Sequence, residues 1–341
     1  MLPVHYRGSR YTPMITNSAC GPNRSPAKWA RAGNHNLATD SASLLAAVRK
    51  ACTVRDLNAT GMRLLHHYSN AVVLLPNENA AARVATSHHD VAQIKRSQHV
   101  TRWLVEQHGF PATRPLAGIE LVELDTKTTV SFWVYYPQPR SPQPLTSAHL
   151  GRLLADLHGI STIPHDLPCW VPLDSLSQAL HDDTTALALD DADRHWLLRR
   201  IGEVREELAT VEWPLGQGLI HGDAWAGNLL WVPNPAHGRD SVVLGDWDRV
   251  SHGPREVDLI PTWHAAHRYG KGPRWICDFV HHYGYDLTSW LGLSALLAMR
   301  DLVQISGPLR RAPHSPPHAH ALRQRLGGLQ AGDTSIVWTA L

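Results

Sequence analysis

The chain has 341 residues, 43% of them hydrophobic, enough for a sizeable core in one large domain or two lobes sharing a cleft. Its formal net charge of +2 gives no global reason to expect nucleic acid as a partner. No run of about 18 apolar residues occurs, so no membrane span is expected.

The first fourteen residues lack the continuous apolar stretch of a signal peptide. Cys20, Cys52, Cys169 and Cys277 are widely spaced and form no C-x-x-C pair, which argues against a disulfide framework or a zinc site and fits a reducing cytoplasm. The many histidines, such as His88–His89, His281–His282 and His318–His320, read as surface or packing residues. No cysteine or carboxylate recurs beside them at ligand spacing.

Residues 1–36 are rich in Pro, Gly, Asn, Ser and Arg without periodicity and read as a disordered tail. A helix is predicted from Thr39–Asp40, which can cap it, with Leu44, Leu45, Val48 and Cys52 on one face. Three antiparallel strands follow at Met62–Leu65, Ala71–Leu75 and Ala81–Thr86, the first two flanking a polar turn at His66–Asn70. A helix over Asp90–His108 ends at Gly109. Two more strands are expected at Leu121–Leu124 and Val130–Tyr135. The four prolines of Tyr136–Pro144 mark a hinge or linker.

Beyond the hinge the pattern turns helical, over Thr146–His158, Trp196–Leu208, Val257–His267, Ile276–Tyr283 and Ser289–Ile305. A small β element interrupts it at Leu219–Gly245, and Ala312–Pro317 reads as a Pro/His-rich loop. The order predicts an α+β chain with a small antiparallel-sheet lobe over 37–136 and a larger, mainly helical lobe over 137–341.

The chemistry concentrates in LIHGDAWAGNLLWVPNPAHGRDSVVLGDWDRV. His221-Gly222-Asp223 is followed by Asn228, and Asp246 comes after two short strand-like stretches, Leu229–Pro233 and Ser241–Gly245. If these pair as an antiparallel hairpin, Asn228 at the start of one and Asp246 at the end of the other reach the same end, beside Asp223. Two carboxylates and an amide oxygen suit Mg²⁺, which takes its remaining ligands from water and phosphates. An H-x-D-x-x-x-x-N loop followed by an acid after a hairpin is the arrangement of kinases. Asp223 can accept the proton of an acceptor hydroxyl, while Asn228 and Asp246 hold the metal on the nucleotide phosphates.

On these residues the chain resembles the aminoglycoside phosphotransferase family, small-molecule kinases related to choline kinases and protein kinases. HGDAWAGNLLW is similar to its catalytic loop, LGDWDRVSHGPREVDL to its metal-binding segment, and LLADLHGI to its Leu-His helix. The resemblance implies a protein-kinase-like fold and transfer of the γ-phosphate of ATP or GTP, with Mg²⁺, to a small hydroxyl-bearing substrate. It implies Asp223 as base, Asn228 and Asp246 as metal ligands, His221 as support of the loop, and Asp258 as its brace. It places Ser69 and Asn70 over the phosphates, Arg83 among the nucleotide contacts, and Trp133 and Tyr135 in the connection that meets the base. Ser69 and Asn70 can also be plain turn formers and Arg83 a surface strand residue, while Asp248 is as readily a simple turn residue as a metal or loop residue.

Two departures stand out. Arg83 takes the place where many kinases carry Lys, and Ser97 and Gln98 stand where its glutamate partner is expected. A neutral partner only hydrogen-bonds Arg83, which leaves a binding pseudokinase as the alternative. Downstream of Asp258 the acids are Asp278, Asp286, Asp301 and Asp333, against Arg268, Lys271, Arg274, Arg300, Arg310, Arg311, Arg323 and Arg325. That balance disfavours a polycationic antibiotic. The acids of Asp174–Asp193 can be helix caps or a solvated face, and Trp263, His264, His267 and Trp290 either line a less charged pocket or belong to the core.

Overall fold

The structure is a computed structural model that describes residues 37–67, 70–86, 91–139, 143–164, 166–182, 185, 188–232 and 241–341, with 37–40 described by backbone alone. The predicted tail, Tyr68-Ser69, Asp90 and the hairpin loop 234–240 lie outside them.

Helix α1 (Leu37–Arg55) starts earlier than Thr39–Asp40. Strands β1 (Arg63–His67), β2 (Ala71–Leu75), β3 (Ala80–Thr86), β4 (Val122–Glu123) and β5 (Thr128–Val134) form one antiparallel sheet in the order β1-β2-β3-β5-β4. His66 and His67, read as turn, are strand residues that pair with Val72 and Ala71. Period-two alternation splits the sheet into two faces. Val73 and Leu75 of β2, Ala80, Ala82 and Val84 of β3, and Val130 and Phe132 of β5 pack on Leu44, Val48, Ala51 and Cys52 of α1. Arg83, opposite Ser131 in the register, therefore faces the other way.

Helix α2 (Val91–His108) runs beyond β3 and stops where Gly109 takes a φ of +61°, a conformation that side chains with a Cβ rarely adopt. The chain then bridges the two halves of the molecule. The Thr113 N–H donates to Leu244 O at 3.0 Å and Leu244 N–H to Pro111 O at 2.9 Å, while the Val134 N–H donates to Arg114 O at 2.8 Å.

The second half is built around a separate, larger core. It contains α3 (Ser147–His158), α4 (Asp174–Leu180), α5 (Asp191–Ala209), α6 (Glu256–Arg268), α7 (Gly272–Tyr283), α8 (Leu293–Arg311) and α9 (Pro316–Gln330). In α3, Leu150, Leu153, Leu154 and Leu157 form the buried stripe. Gly151 lets it approach α7, since a Cβ there would lie 2.7 Å from Phe279 O. Helices α4 and α9 are unforeseen. The Pro/His-rich stretch gives way at Pro316 to a helix that prolines open, because their fixed φ and missing N–H suit a first turn. Two short sheets complete the lobe: β6 (Gln217–Ile220) pairs with β9 (Ser251–Pro254), and β7 (Leu229–Trp231) with β8 (Val242–Leu244).

The two-lobed, protein-kinase-like arrangement follows: a small antiparallel sheet on one side and a mainly helical lobe on the other. No helix of the described residues is long and apolar enough to cross a membrane.

A buried ionic knot ties α6, α8 and the C-terminal segment. Asp301 accepts from Arg268 Nε at 2.9 Å and Nη2 at 2.8 Å, and lies 3.1 Å from His264 Nε2. Arg268 and Arg325 both lie over the Trp338 ring. Trp263, at 1% exposure, and His264, at 2%, are thus core residues rather than a pocket wall. Trp290 is half-buried and donates Nε1–H to Glu212 O at 3.0 Å.

Burial, reinforced by the neighbouring arginines, outweighs the pull of Asp301 and lowers the His264 pKa to about 4. Because the unfolded value is higher, folding is favoured with the ring neutral, and this contribution is lost as pH falls from about 6.5 toward 4. A shift of this size corresponds to roughly 3 kcal/mol at most. Thermal unfolding across that window is expected to show a steep loss of stability in the wild type. A His264→Gln variant is expected to be less stable at pH 7 but to have a shallower slope.

Candidate active site

Strand β6 ends at Ile220, and the chain turns sharply because Gly222 adopts a φ of +81°. The turn is pinned from α6. Asp258, fully buried, accepts the N–H of His221 at Oδ2 and the N–H of Gly222 at Oδ1, both at 2.7 Å. His158 of α3 lies 3.2 Å from the same Oδ2 and 2.8 Å from the Tyr283 hydroxyl. It is a packed residue that holds Asp258 in place.

The His221 ring is fully buried. Its Nε2 lies 2.9 Å from Gly245 O, its Nδ1 accepts the Asp223 N–H at 3.3 Å, and Trp247 packs on its face at 4.6 Å. His221 thus couples the loop to the end of β8.

Pairing of Leu229 with Leu244 makes β7 and β8 an antiparallel hairpin. The Gly245 N–H donates to Asn228 O at 2.8 Å, so Asn228 and Asp246 leave the hairpin at the same end. The Asn228 Nδ2 donates to the Asp223 carbonyl at 3.0 Å, which fixes the amide and turns its oxygen away from that bond. Asp246 itself sits at φ 62°, ψ 56°, in the left-handed region. Backbone strain of this kind persists only where the surroundings over-determine it. Here Trp247 does so, buried at 1% exposure and donating Nε1–H to Leu244 O at 2.8 Å.

The electrostatics of Asp246 point to a cation. Desolvation by the surrounding protein raises its pKa, Arg83 offsets this in part, and the carboxylates of Asp248 and Asp223 push it up again, leaving it above the usual range. Half of its side-chain surface is open. A hard divalent ion relieves such crowding and is matched by the carboxylate and amide oxygens of Asp246 and Asn228.

Arg83 is held more firmly than its helix neighbours imply. Its Nη1 donates to Asp248 Oδ1 at 2.7 Å, its Nη2 to Asp248 Oδ2, and Asp246 Oδ1 lies 3.5 Å away. With its amide oxygen turned toward the guanidinium, Asn70 accepts from Arg83 Nε at 3.2 Å. Helix α2 contributes indirectly, through Gln93 Nε2, which donates to Asp248 O at 2.6 Å. Ser97 and Gln98 are buried, and Ser97 Oγ and Gln98 Nε2 make no hydrogen bond among the described residues. The expectation of a loosely placed Arg83 is therefore corrected: its acid comes from the segment after β8, not from α2. The D-W-D spelling was the available signal.

Asp223 has a partner that local sequence does not reveal. Arg300 of α8, with a side chain only 9% exposed, donates Nη1–H to Asp223 Oδ1 at 2.7 Å. Burial works against the Asp223 charge, but Arg300 and Arg249 outweigh it and hold the carboxyl below the usual range.

The remaining predicted residues lie at the sheet. Trp133, opposite Ala81, is 9% exposed and donates Nε1–H to Ser131 Oγ at 3.0 Å. Tyr135 follows β5 and its N–H donates to Asn79 O at 3.0 Å. Ser69 lies outside the described residues.

The family model described as "Phosphotransferase enzyme family" matches residues 60–296, and the chain belongs to that family. Solved structures of the same fold include an amicoumacin kinase in complex with AMP-PNP, Ca²⁺ and Ami, at 12% identity and TM-score 0.67, over 89% of this chain and 98% of that one. A microcompartment-associated aminopropanol kinase aligns at 19% identity and TM-score 0.62, over 85% of this chain and 99% of that one. A choline/ethanolamine kinase family protein from Mesorhizobium loti aligns at 16% identity and TM-score 0.54, over 86% and 94%. No curated protein matches the chain.

Removing the charge of Asp258 leaves a buried amide N–H facing the nitrogen of an introduced Asn. Asp258→Asn is expected to cost about 2–4 kcal/mol, read by urea unfolding at pH 7. Retention of full stability would show that the loop is held by other contacts.

Proposed function

We propose that this phosphotransferase moves the γ-phosphate of ATP or GTP to a hydroxyl of a small molecule, with Mg²⁺ as its metal, in the cytoplasm. The observation that carries this reading is the convergence of Asp223, Asn228 and Asp246 at one end of the β7–β8 hairpin. We assign the nucleotide side to 37–136 and the acceptor side to 137–341.

Asn228 and Asp246 would hold the metal, which supplies charge neutralisation on the phosphates. We assign Asn70 and Arg83 to the phosphates, a reading supported by the alignment of Arg83 on Asp248. We assign Ser69 to the same turn, and Trp133 and Tyr135 to the wall that receives the base. Asp223 orients the acceptor hydroxyl and takes its proton. Its ion pair with Arg300 keeps it ionised and occupies one of its two oxygens. His221 and Asp258 keep the loop in register and take no part in proton transfer.

Purified protein is expected to be stabilised by Mg²⁺–nucleotide, by about 2.7 kcal/mol at roughly a hundred times the dissociation constant. Asp246→Asn is expected to abolish the Mg²⁺-dependent part. Asp223→Asn is expected to keep nucleotide binding while turnover, followed as nucleoside-diphosphate release with an acceptor, falls about 10²–10⁴-fold. Stabilisation that ignores both Mg²⁺ and Asp246 would discard the proposal.

The Arg300–Asp223 pair also sets a pH dependence. Asp223 must be ionised to act, and its lowered pKa places the acid limb of kcat/KM at low pH. Arg300→Met is expected to move that limb upward. An unmoved limb would exclude Asp223 as the titrating base.

A further inference from the structure

Arginines gather around Asp223. Arg300 pairs with it directly. Arg249, in the turn after Asp248, lies with its backbone and Cβ against Gly222 and adds to the positive field on the Asp223 carboxylate. Its Nη2 reaches Ser175 Oγ on α4 at 3.3 Å. Arg310, nearly three turns along α8 from Arg300, sends Nη2 to the same Ser175 Oγ at 3.1 Å and to Ser175 O at 2.8 Å.

Two exposed guanidiniums thus converge on one neutral hydroxyl, and the charge of one of them, Arg249, reaches the proposed base. Like charges so placed repel. Partial burial and Arg249 both work against the charge on Arg310, with Asp182 offsetting them only in part. Among the described residues, the hydrogen bonds of both guanidiniums on this side go to Ser175 and not to a carboxylate. Arg300, meanwhile, is buried at 7% exposure with its Nε unpartnered among the described residues. Asp182 is the described acid whose charge reaches Arg310, and three others along α4 and α5 are engaged elsewhere. Asp174 accepts from Gln178 at 2.8 Å, Asp190 caps α5, and Asp193 accepts from Gln330 at 2.8 Å.

We propose that Arg249 and Arg310, bridged by Ser175, form the acceptor subsite for an anionic group, so that the substrate is a hydroxyl compound carrying a carboxylate or a phosphate monoester. Guanidinium forks recognise such groups through paired N–H donors. The anion held there and the hydroxyl presented to Asp223 belong to one small molecule. This inference rests on the phosphotransferase reading of Asp223 above. It sets the substrate apart from polycationic acceptors, which the same field repels.

The test is calorimetric titration of the full chain, with and without Mg²⁺–AMP-PNP, using glycerate and glycerol 3-phosphate as probes. Glycerol and serinol serve as neutral and cationic counterparts. At least one of the two anions is expected to bind with one-to-one stoichiometry. Arg249→Gln and Arg310→Gln are each expected to weaken it about tenfold or more. Arg63→Gln, which removes an exposed charge from β1, is expected to leave it unchanged. Binding of glycerate alone assigns a carboxylate, and binding of glycerol 3-phosphate alone a phosphate monoester. The proposal is overturned if neither anion binds, if binding is insensitive to both substitutions, or if serinol binds in their place. Stabilisation by Mg²⁺–AMP-PNP in the same samples reports separately on the phosphotransferase reading. Nucleotide binding without anion binding discards the acceptor inference alone.

Discussion

The site depends on one buried carboxylate. Asp258 has no solvent to satisfy it, so both its oxygens must find donors within the protein, and they find the consecutive amides of His221 and Gly222. Two bonds to adjacent N–H groups define the direction of the chain as well as its position. From that anchor the chain enters the loop that carries Asp223 and Asn228. Through His221 and Gly245 the same anchor is linked to the end of β8, where Asp246 emerges. The order of cause is therefore helix, loop, hairpin, then chemistry.

Around this anchor the charges are arranged in two zones. On the sheet side, Asp246 and Asp248 crowd together and are met by Arg83, a combination suited to a metal ion and phosphates. On the helical side, Asp223 is met by Arg300, with Arg249 and Arg310 beyond it. Asp223 stands at the boundary. Under the proposed function, a carboxylate there would receive an acceptor hydroxyl from one zone and face the phosphoryl donor in the other.

Much of this was legible in the chain. The hairpin and its delivery of Asn228 and Asp246 to one end could be read because both depend on local strand patterns and a short connection. The sheet lobe could be read from alternation in β2, β3 and β5. What escaped the reading has physical reasons. Strand β9 is SHGP, with poor intrinsic strand preference, and exists because β6 pairs with it. Helix α9 opens on prolines that resemble a loop. The pairs Arg83–Asp248 and Arg300–Asp223 join residues 165 and 77 positions apart, and no local pattern announces them. The sequence departures at Arg83 and Ser97 were visible, but their remedy, an acid drawn from the other lobe, needed the fold.

The central claim is that Asn228 and Asp246 form a metal site completed by nucleotide. Electron paramagnetic resonance of Mn²⁺, titrated into the protein in the presence and absence of AMP-PNP, tests it most directly. The account requires tight protein-bound Mn²⁺ only when nucleotide is present, and its loss in Asn228→Ala. Mn²⁺ binding that is indifferent to nucleotide, or unchanged by that substitution, would contradict it.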